Sequence, residues 1–342
     1  MSWPLSGAFD QPSRERERAL CRRRCCGRRQ SGLSLRRARQ WDGIDGVTQS
    51  LGEARKAILR RIARGLLTPL YSFHFIRRRA LAQLHRHYRK GALTLRYRMP
   101  DHTLFLDPAD DVIAARVLLR GDWQRRDLEW AVGLLRKHVS QSGGKVFVDV
   151  GANIGTETIY AMLSGYFAGA VSIEPEPGNF ALLKENIAVN GLETRVGAFN
   201  CAAGARAEKA WLARSPSNKG GHAITSLPAD GAARAGVAVD VLPLGEILRR
   251  AGFTADHVGL VWIDVNGTEA DVLAGMESLL ARRVPVVLEH LPSFVSTEAA
   301  HAIHKLLARH YRFYCRIDDV EREPVAIAQM NPLSEAGDFL FF

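Results

Sequence analysis

The stretch VFVDVGANIGTET, residues 146–158, constrains this chain more than any other part of it. Five strand-like residues run straight into a tight turn bracketed by Gly151 and Gly155, and a helix-like run follows at once. That is the first half of a βαβ unit, and the pattern repeats downstream. Strand-like runs recur at AVSIEP (170–175), VGAFNC (196–201), VGLVWIDV (258–265) and VPVVLE (284–289). Helix-like runs at 155–166, 178–190, 244–252, 268–282 and 297–310 separate them. Such alternation builds a mostly parallel, doubly wound α/β sheet with helices on both faces. Upstream, LTLRYRM and TLFLD read as short strands. Residues 124–138 read as an amphipathic helix with Leu128, Ala131, Leu134 and Leu135 on one side. The closing runs YRFYCRI (311–317) and DFLFF (338–342) suit two final strands, and 205–236 reads as a long loop.

Charge divides the chain. Residues 1–90 hold 22 Lys+Arg and 6 Asp+Glu, a net of +16, whereas the other 252 hold 25 and 30, a net of −5. The basic excess therefore belongs to an arm, and a nucleic-acid-binding face is not expected. Residues 1–50 are too poor in apolar side chains to offset the entropy of ordering and read as a basic low-order extension. Residues 51–90 read as a basic helical segment. Its part 53–90 is expected either to lie on an anionic membrane surface or to pack with a solvated basic face. Residues 91–342, with a core from 145, form the expected catalytic domain. Five cysteines without zinc spacing, no apolar run of membrane-spanning length and no secretory leader point to a cytoplasmic chain, peripheral to a membrane at most.

The turn also carries the chemistry. Ligands of nucleotide type bind at the carboxyl ends of parallel strands. The spacing is G-x-x-x-G rather than the G-x-G-x-x-G that cradles a pyrophosphate. Asp149, just ahead of the turn, would repel a pyrophosphate and attract a cation. S-adenosyl-L-methionine carries both an ammonium and a sulfonium, so the sign of this charge favours the methyl donor over a nicotinamide cofactor. Glu174 ends the second strand, 19 residues beyond Gly155, where a carboxylate can accept from both ribose hydroxyls.

Together, VDVGANIG, IEPEPGNFALLKENIAVNG (173–191), NCAAG (200–204), VWIDVNGTEADVLAGM (261–276) and VVLEH (286–290) resemble the FkbM-type S-adenosylmethionine-dependent methyltransferases, over about 103–342. The resemblance implies a class I, Rossmann-like methyltransferase fold, a seven-stranded sheet whose last strand is antiparallel and inserted beside the fifth. It also implies O-methyl transfer, often to a sugar or secondary-metabolite hydroxyl. By the same resemblance Asp149, Gly151, Asn153 and Gly155 line the methionine and ribose side, Glu174 takes the ribose diol, and Cys201 and Ala202 flank the adenine. Two blocks depart from the usual pattern. Lys-Ile-Asp-Val-Glu-Gly is here Trp262-Ile263-Asp264-Val265-Asn266-Gly267, and Leu-Asp is Leu244-Gly245.

Methyl transfer to an alcohol needs a group that takes the proton. Candidates stand at the ends of the fourth and fifth strands: Asp264 first, then His290, Glu269 and Glu289. Asp264 and Glu289 could instead hold a divalent cation, although no spacing demands a metal. Asn218, Gly221 and His222, in the 205–236 loop, are the candidates for acceptor binding or lid closure. Two other readings compete: a nicotinamide-dependent oxidoreductase on a similar sheet, and a non-catalytic donor-binding protein docked through its basic arm.

Overall fold

Residues 94–139, 145–215, 218–227, 236–293, 295–317 and 323–342 are described by a computed structural model. All belong to the second of two units into which the chain divides, 78–342. The expectations for 1–50 and 51–90 lie outside the described residues.

The unit opens with a hairpin, β1 (Leu95–Arg98) and β2 (Thr103–Leu106), then helices α1 (Ile113–Arg120) and α2 (Arg125–His138). The alternating part follows: β3 (Val146–Val150), α3 (Thr156–Leu163), β4 (Gly169–Ile173), α4 (Pro177–Val189) and β5 (Val196–Phe199). Next come β6 (Ala202–Ala203), β7 (Glu208–Ala213), β8 (Ala223–Thr225) and β9 (Gly236–Leu242). The rest is α5 (Leu244–Arg250), β10 (Val258–Ile263), α6 (Glu269–Ala274), α7 (Glu277–Ala281), β11 (Val286–His290), α8 (Thr297–His310), β12 (Phe313–Arg316), β13 (Val325–Ala326) and β14 (Gly337–Phe341).

The main sheet runs β13-β12-β14-β11-β10-β3-β4-β5. Its five strands from β11 to β5 are parallel, and β14 inserts antiparallel between β11 and β12. This is the expected sheet with its inserted last strand, extended at one edge by the two-residue β13. Alternate residues face opposite sides. Phe147, Leu260, Trp262, Val287 and Leu340 belong to a core that includes residues of α1–α4. Val148, Val150, Ile263, Leu288 and Phe341 belong to a second core that includes residues of α5–α8.

Three elements differ from the sequence reading. The helix α1 was not anticipated, although Asp110 at its start accepts from the Val112 and Ala114 N–H groups and Gly121 ends it at φ +96°. The 205–236 loop contains β7 and β8, which join β6 and β9 in a separate small sheet. The expected helix 268–282 is broken into α6 and α7 at Gly275, where the backbone meets that of Gly204. A Cβ on Gly275 would stand 2.0 Å from the Gly204 carbonyl oxygen. No helix among the described residues is long and apolar enough to cross a membrane.

The hairpin is tied to the sheet by two side chains at the C-terminal end of α4, Asn186 within it and Asn190 just past it. Asn190 pairs with the Thr103 N–H and C=O at 2.9 and 2.8 Å. Fully buried Asn186 accepts from the Phe105 N–H and donates to the Phe105 and Ile154 carbonyls at 3.1 and 2.8 Å. Replacing Asn186 by Ala orphans these three backbone groups, so chemical denaturation should show a loss of about 2–4 kcal/mol. Asn186→Asp keeps the size but not the donor and should also destabilise; an unchanged midpoint would show that the tie is dispensable.

Candidate active site

The floor of the site is a close approach of two chain segments. Gly151 and Ala152 donate to the Ile173 carbonyl, both at 3.0 Å, and the Asp264 N–H donates to the Val150 carbonyl at 3.0 Å. Gly151 takes φ +89°, and a Cβ there would lie 1.9 Å from the Asp264 carbonyl oxygen. Only glycine lets the turn sit this close to the end of β10. A cleft of about 540 Å³, mouth included, opens at the carboxyl ends of β3, β4 and β10. Gly151, Asn153, Glu174, Ala202 and Asp264 line it, with Lys219, His222 and Asn266.

Strand alternation gathers acidic groups beside this floor. Asp149 lies two residues from Phe147, Asp264 two from Trp262, Glu289 two from Val287 and Asp338 two from Leu340, all on one sheet face. Asp149 is buried and accepts from the Thr158 hydroxyl, which also pairs with Ser172 at 2.7 Å. Burial, reinforced by the Asp264 charge, pushes its carboxyl up to about 7. Buried Glu157 rises well above the ordinary range, through burial and then the Asp149 charge. Asp264 and Glu289 share a hydrogen bond, which two carboxyls can do only with a proton between them. Burial, with the charges of Asp264, Asp338 and Glu269, pushes Glu289 to about 8, and burial raises Asp264 as well. Both carboxyls are raised, which favours a proton shared between Glu289 and Asp264. Like charges this close cannot both ionise freely.

The other expected donor-binding residues are placed unevenly. Glu174 lines the cleft, but its two oxygens already accept from the Asn153 and Glu176 N–H groups at 2.9 and 2.8 Å. Burial pushes it up to about 8. Asn153, at φ 49°, leaves its side-chain oxygen buried without a hydrogen-bond partner. Gly155 starts α3. Ala202 and its neighbour Ala203 line the cleft, whereas Cys201 packs in the second core, its thiol pushed to about 11 by burial. Asp149 stands behind the turn, off the lining.

Of the three acceptor candidates, His222 alone lines the cleft. Its Nδ1 accepts from the Ser215 N–H at 3.0 Å, so the ring proton sits on Nε2, which is buried and unpartnered. Burial lowers its basicity and keeps it neutral. Asn218 closes its own turn by accepting from Gly220, and Gly221 donates to the Asn218 carbonyl. Among the base candidates, Asp264 and Glu289 come together. Glu269 accepts from the Gly267 N–H at 3.0 Å and leaves Oε2 unpartnered. His290, one residue past Glu289, faces the other side of the sheet. Its Nε2 lies 2.8 Å from the Pro332 carbonyl, in a small depression with Leu288 and Ile303, apart from the cleft. Trp262, where a lysine is usual, is fully buried core.

The reading from sequence missed Asn179, Lys219 and Gly220 as parts of the cleft. Position relative to the strand ends was the available signal for Asn179, which sits in the first turn of α4; Lys219 and Gly220 lie among the loop candidates Asn218, Gly221 and His222, and their residue types did not single them out. Among the described residues, no group of three or more His, Cys, Asp or Glu side chains is arranged to hold a metal ion.

Residues 149–313 match the family model described as the methyltransferase FkbM domain. No curated protein matches the chain. Among solved structures it is similar to an FkbM methyltransferase from Methylobacillus flagellatus KT, at 16% identity and TM-score 0.41, over 68% of this chain and 55% of that one. This chain thus spans little more than half of that relative's length. An O-methyltransferase from Bacillus cereus in complex with SAH matches at 11% identity and TM-score 0.35, over 77% and 88% of the two chains. A tRNA m1G37 methyltransferase from M. jannaschii matches at 11% identity and TM-score 0.34, over 72% and 52%.

The carboxyls set a pH dependence of stability. Asp149, Glu174 and Glu289 keep protons to about pH 7–8 when folded but ionise near their ordinary values, about 4, when unfolded. Between those limits the folded chain binds more protons, so stability falls as pH rises. The ligand-free protein should therefore lose melting temperature steadily from pH 5.5 to 8 and level off above. Glu289→Gln should flatten the slope, and a flat or rising wild-type profile would contradict the carboxyl assignment.

Proposed function

With residues 149–313 matching the methyltransferase FkbM domain model, we propose that the chain is an S-adenosylmethionine-dependent methyltransferase of that family, which methylates a hydroxyl of a sugar, glycan or secondary metabolite. One observation carries this reading: the cleft at the carboxyl ends of β3, β4 and β10 is walled by Asp264 and Glu174, backed by Asp149 and closed beneath by Gly151. Such a wall suits a ligand with positive charge and disfavours a pyrophosphate.

The polar groups inside also suit a nucleoside-bearing ligand. Asn153 offers an unused acceptor oxygen and His222 an unused N–H donor, and a buried polar atom without a partner is costly to keep. Gly151, Asn153 and Glu174 would hold the methionine and ribose, and Ala202 and Ala203 the adenine. When bound, S-adenosylmethionine supplies an electrophilic methyl group on a sulfonium. The chain supplies orientation and a place for the acceptor's proton. Asp264 faces the cleft as a carboxylate whose affinity for protons burial has raised, so its Oδ takes the hydroxyl proton. Glu289, hydrogen-bonded behind it, holds Asp264 in position. A base placed in this way typically contributes about 10²–10⁴-fold.

Calorimetric titration should show S-adenosylmethionine binding to the wild type with release of protons, because a cation favours ionised Asp149 and Glu174. NADH should give no heat; NADH binding alone would sink the proposal. With an acceptor identified by labelled-methyl screening of sugars and lipid-linked glycans, Asp264→Asn should lower kcat about 10²–10⁴-fold. Loss of donor affinity without loss of kcat in that variant would place Asp264 in binding rather than in proton transfer.

A further inference from the structure

Residues 218–222 cross the cleft as a strap, and their backbone is held from three separate walls. The Lys219 carbonyl accepts from Asn153 Nδ2 at 3.1 Å and from Asn179 Nδ2 at 2.8 Å. The Gly220 carbonyl accepts from Asn266 Nδ2 at 2.8 Å. Asn153 belongs to the turn after β3, Asn179 to the first turn of α4 and Asn266 to the turn after β10. On the α1 side, the Lys219 N–H reaches the Asp110 carboxylate at 3.3 Å. Lys219, Gly220 and His222 in turn line the cleft that the three asparagines surround.

The chemistry of these contacts is specific to amides. Each captured group is a carbonyl, which requires a donor; an ionised carboxylate of similar size offers none. Asn266 stands where the resembled sequences usually carry glutamate, so this chain has a donor at the one point of the block that faces the Gly220 carbonyl. The unpaired N–H of His222 and the unpaired oxygen of Asn153 lie at the cleft that the strap covers, one on the strap and one beneath it.

We infer that the 218–222 strap is a latch over the donor cleft, held by the side-chain amides of Asn153, Asn179 and Asn266, and that donor exchange requires these bonds to open. The inference rests on the donor reading of the cleft given above. Asn179 and Asn266 are thus positioning residues, acting on the donor through the strap. They set how long the donor stays rather than the chemistry at its methyl group. Loss of one such hydrogen bond corresponds to about a tenfold change in opening.

Two readouts on the full chain test it. The first needs no ligand: tryptic cleavage after Lys219, followed by mass spectrometry, with the bond after Lys184 inside α4 as the control for global unfolding. Asn179→Ala, Asn266→Ala and Asn266→Asp should each speed cleavage after Lys219 about tenfold, with less than twofold change after Lys184. Asn266→Asp preserves packing and removes only the donor, so it separates the hydrogen bond from bulk. Unchanged cleavage after Lys219 in all three variants would overturn the latch, whatever the cleft binds. The second readout is the dissociation rate of S-adenosylhomocysteine by stopped-flow displacement, which should rise about tenfold in Asn266→Asp. Faster cleavage with an unmoved dissociation rate would overturn the gating of donor exchange while leaving the donor reading intact. Absence of binding to the wild type would overturn the donor reading and the gating with it, while faster cleavage in the variants would still support the latch.

Discussion

Much of this site depends on the contact between Gly151 and the backbone of Asp264. A side chain at 151 would collide with a carbonyl oxygen, and that exclusion lets β3 and β10 end at the same depth. Once they do, the cleft has a floor made of backbone, and Asp264 stands at its edge rather than under it. The same turn places Asn153 in the left-handed region, where its N–H reaches Glu174 and its side chain reaches the strap. A single steric allowance thus positions the acidic wall, the Glu174 carboxylate and one of the three strap amides. The main sheet explains why it must occur here, since a doubly wound sheet opens its crevice at the carboxyl ends of its strands.

The second constraint is electrostatic and works against stability. Asp149, Glu157, Asp264 and Glu289 crowd one sheet face with no cationic side chain paired to them by a close contact among the described residues. Burying such groups ionised is costly, so burial raises their affinity for protons in the ligand-free chain. Local rules violated in this way are expected where function has been placed. A cationic ligand in the cleft would favour the ionised form of Asp149, and affinity and charge would then have one physical source.

The sequence pattern disclosed the sheet well and the roof poorly. The five parallel strands and the inserted last strand were legible because buried parallel strands read as short apolar runs bounded by helices. DFLFF could be placed by its position at the end of the series. Helix α1 was not legible although Asp110 and Gly121 mark its two ends, because eight residues make a short run beside the longer one at 124–138. The small sheet of β6–β9 was hidden because β7 and β8 are short and partly exposed, in a segment whose Gly and Ser content reads as loop. Within the site, alternation alone should have separated Glu289 from His290: adjacent strand residues face opposite sides, and only Glu289 shares the face of Asp264. The loop was legible as an acceptor or lid candidate, but the way residues 218–222 are held was beyond such reasoning. Its bonds join residues 40 to 66 positions apart through side-chain amides, and no periodicity records that.

The two departures in the 262–267 block then have separate local explanations. Trp262 faces a core that it fills completely, beside Leu260 and Val287, where a lysine would bring a charge that needs a partner. Asn266 faces a carbonyl, where a glutamate would bring an acceptor against an acceptor. Neither change touches Asp264, which lies between them, hydrogen-bonded to Glu289 and open to the cleft. Trp262 and Asn266 are thus met by their own surroundings, and neither alters the contact between Asp264 and Glu289 at the cleft.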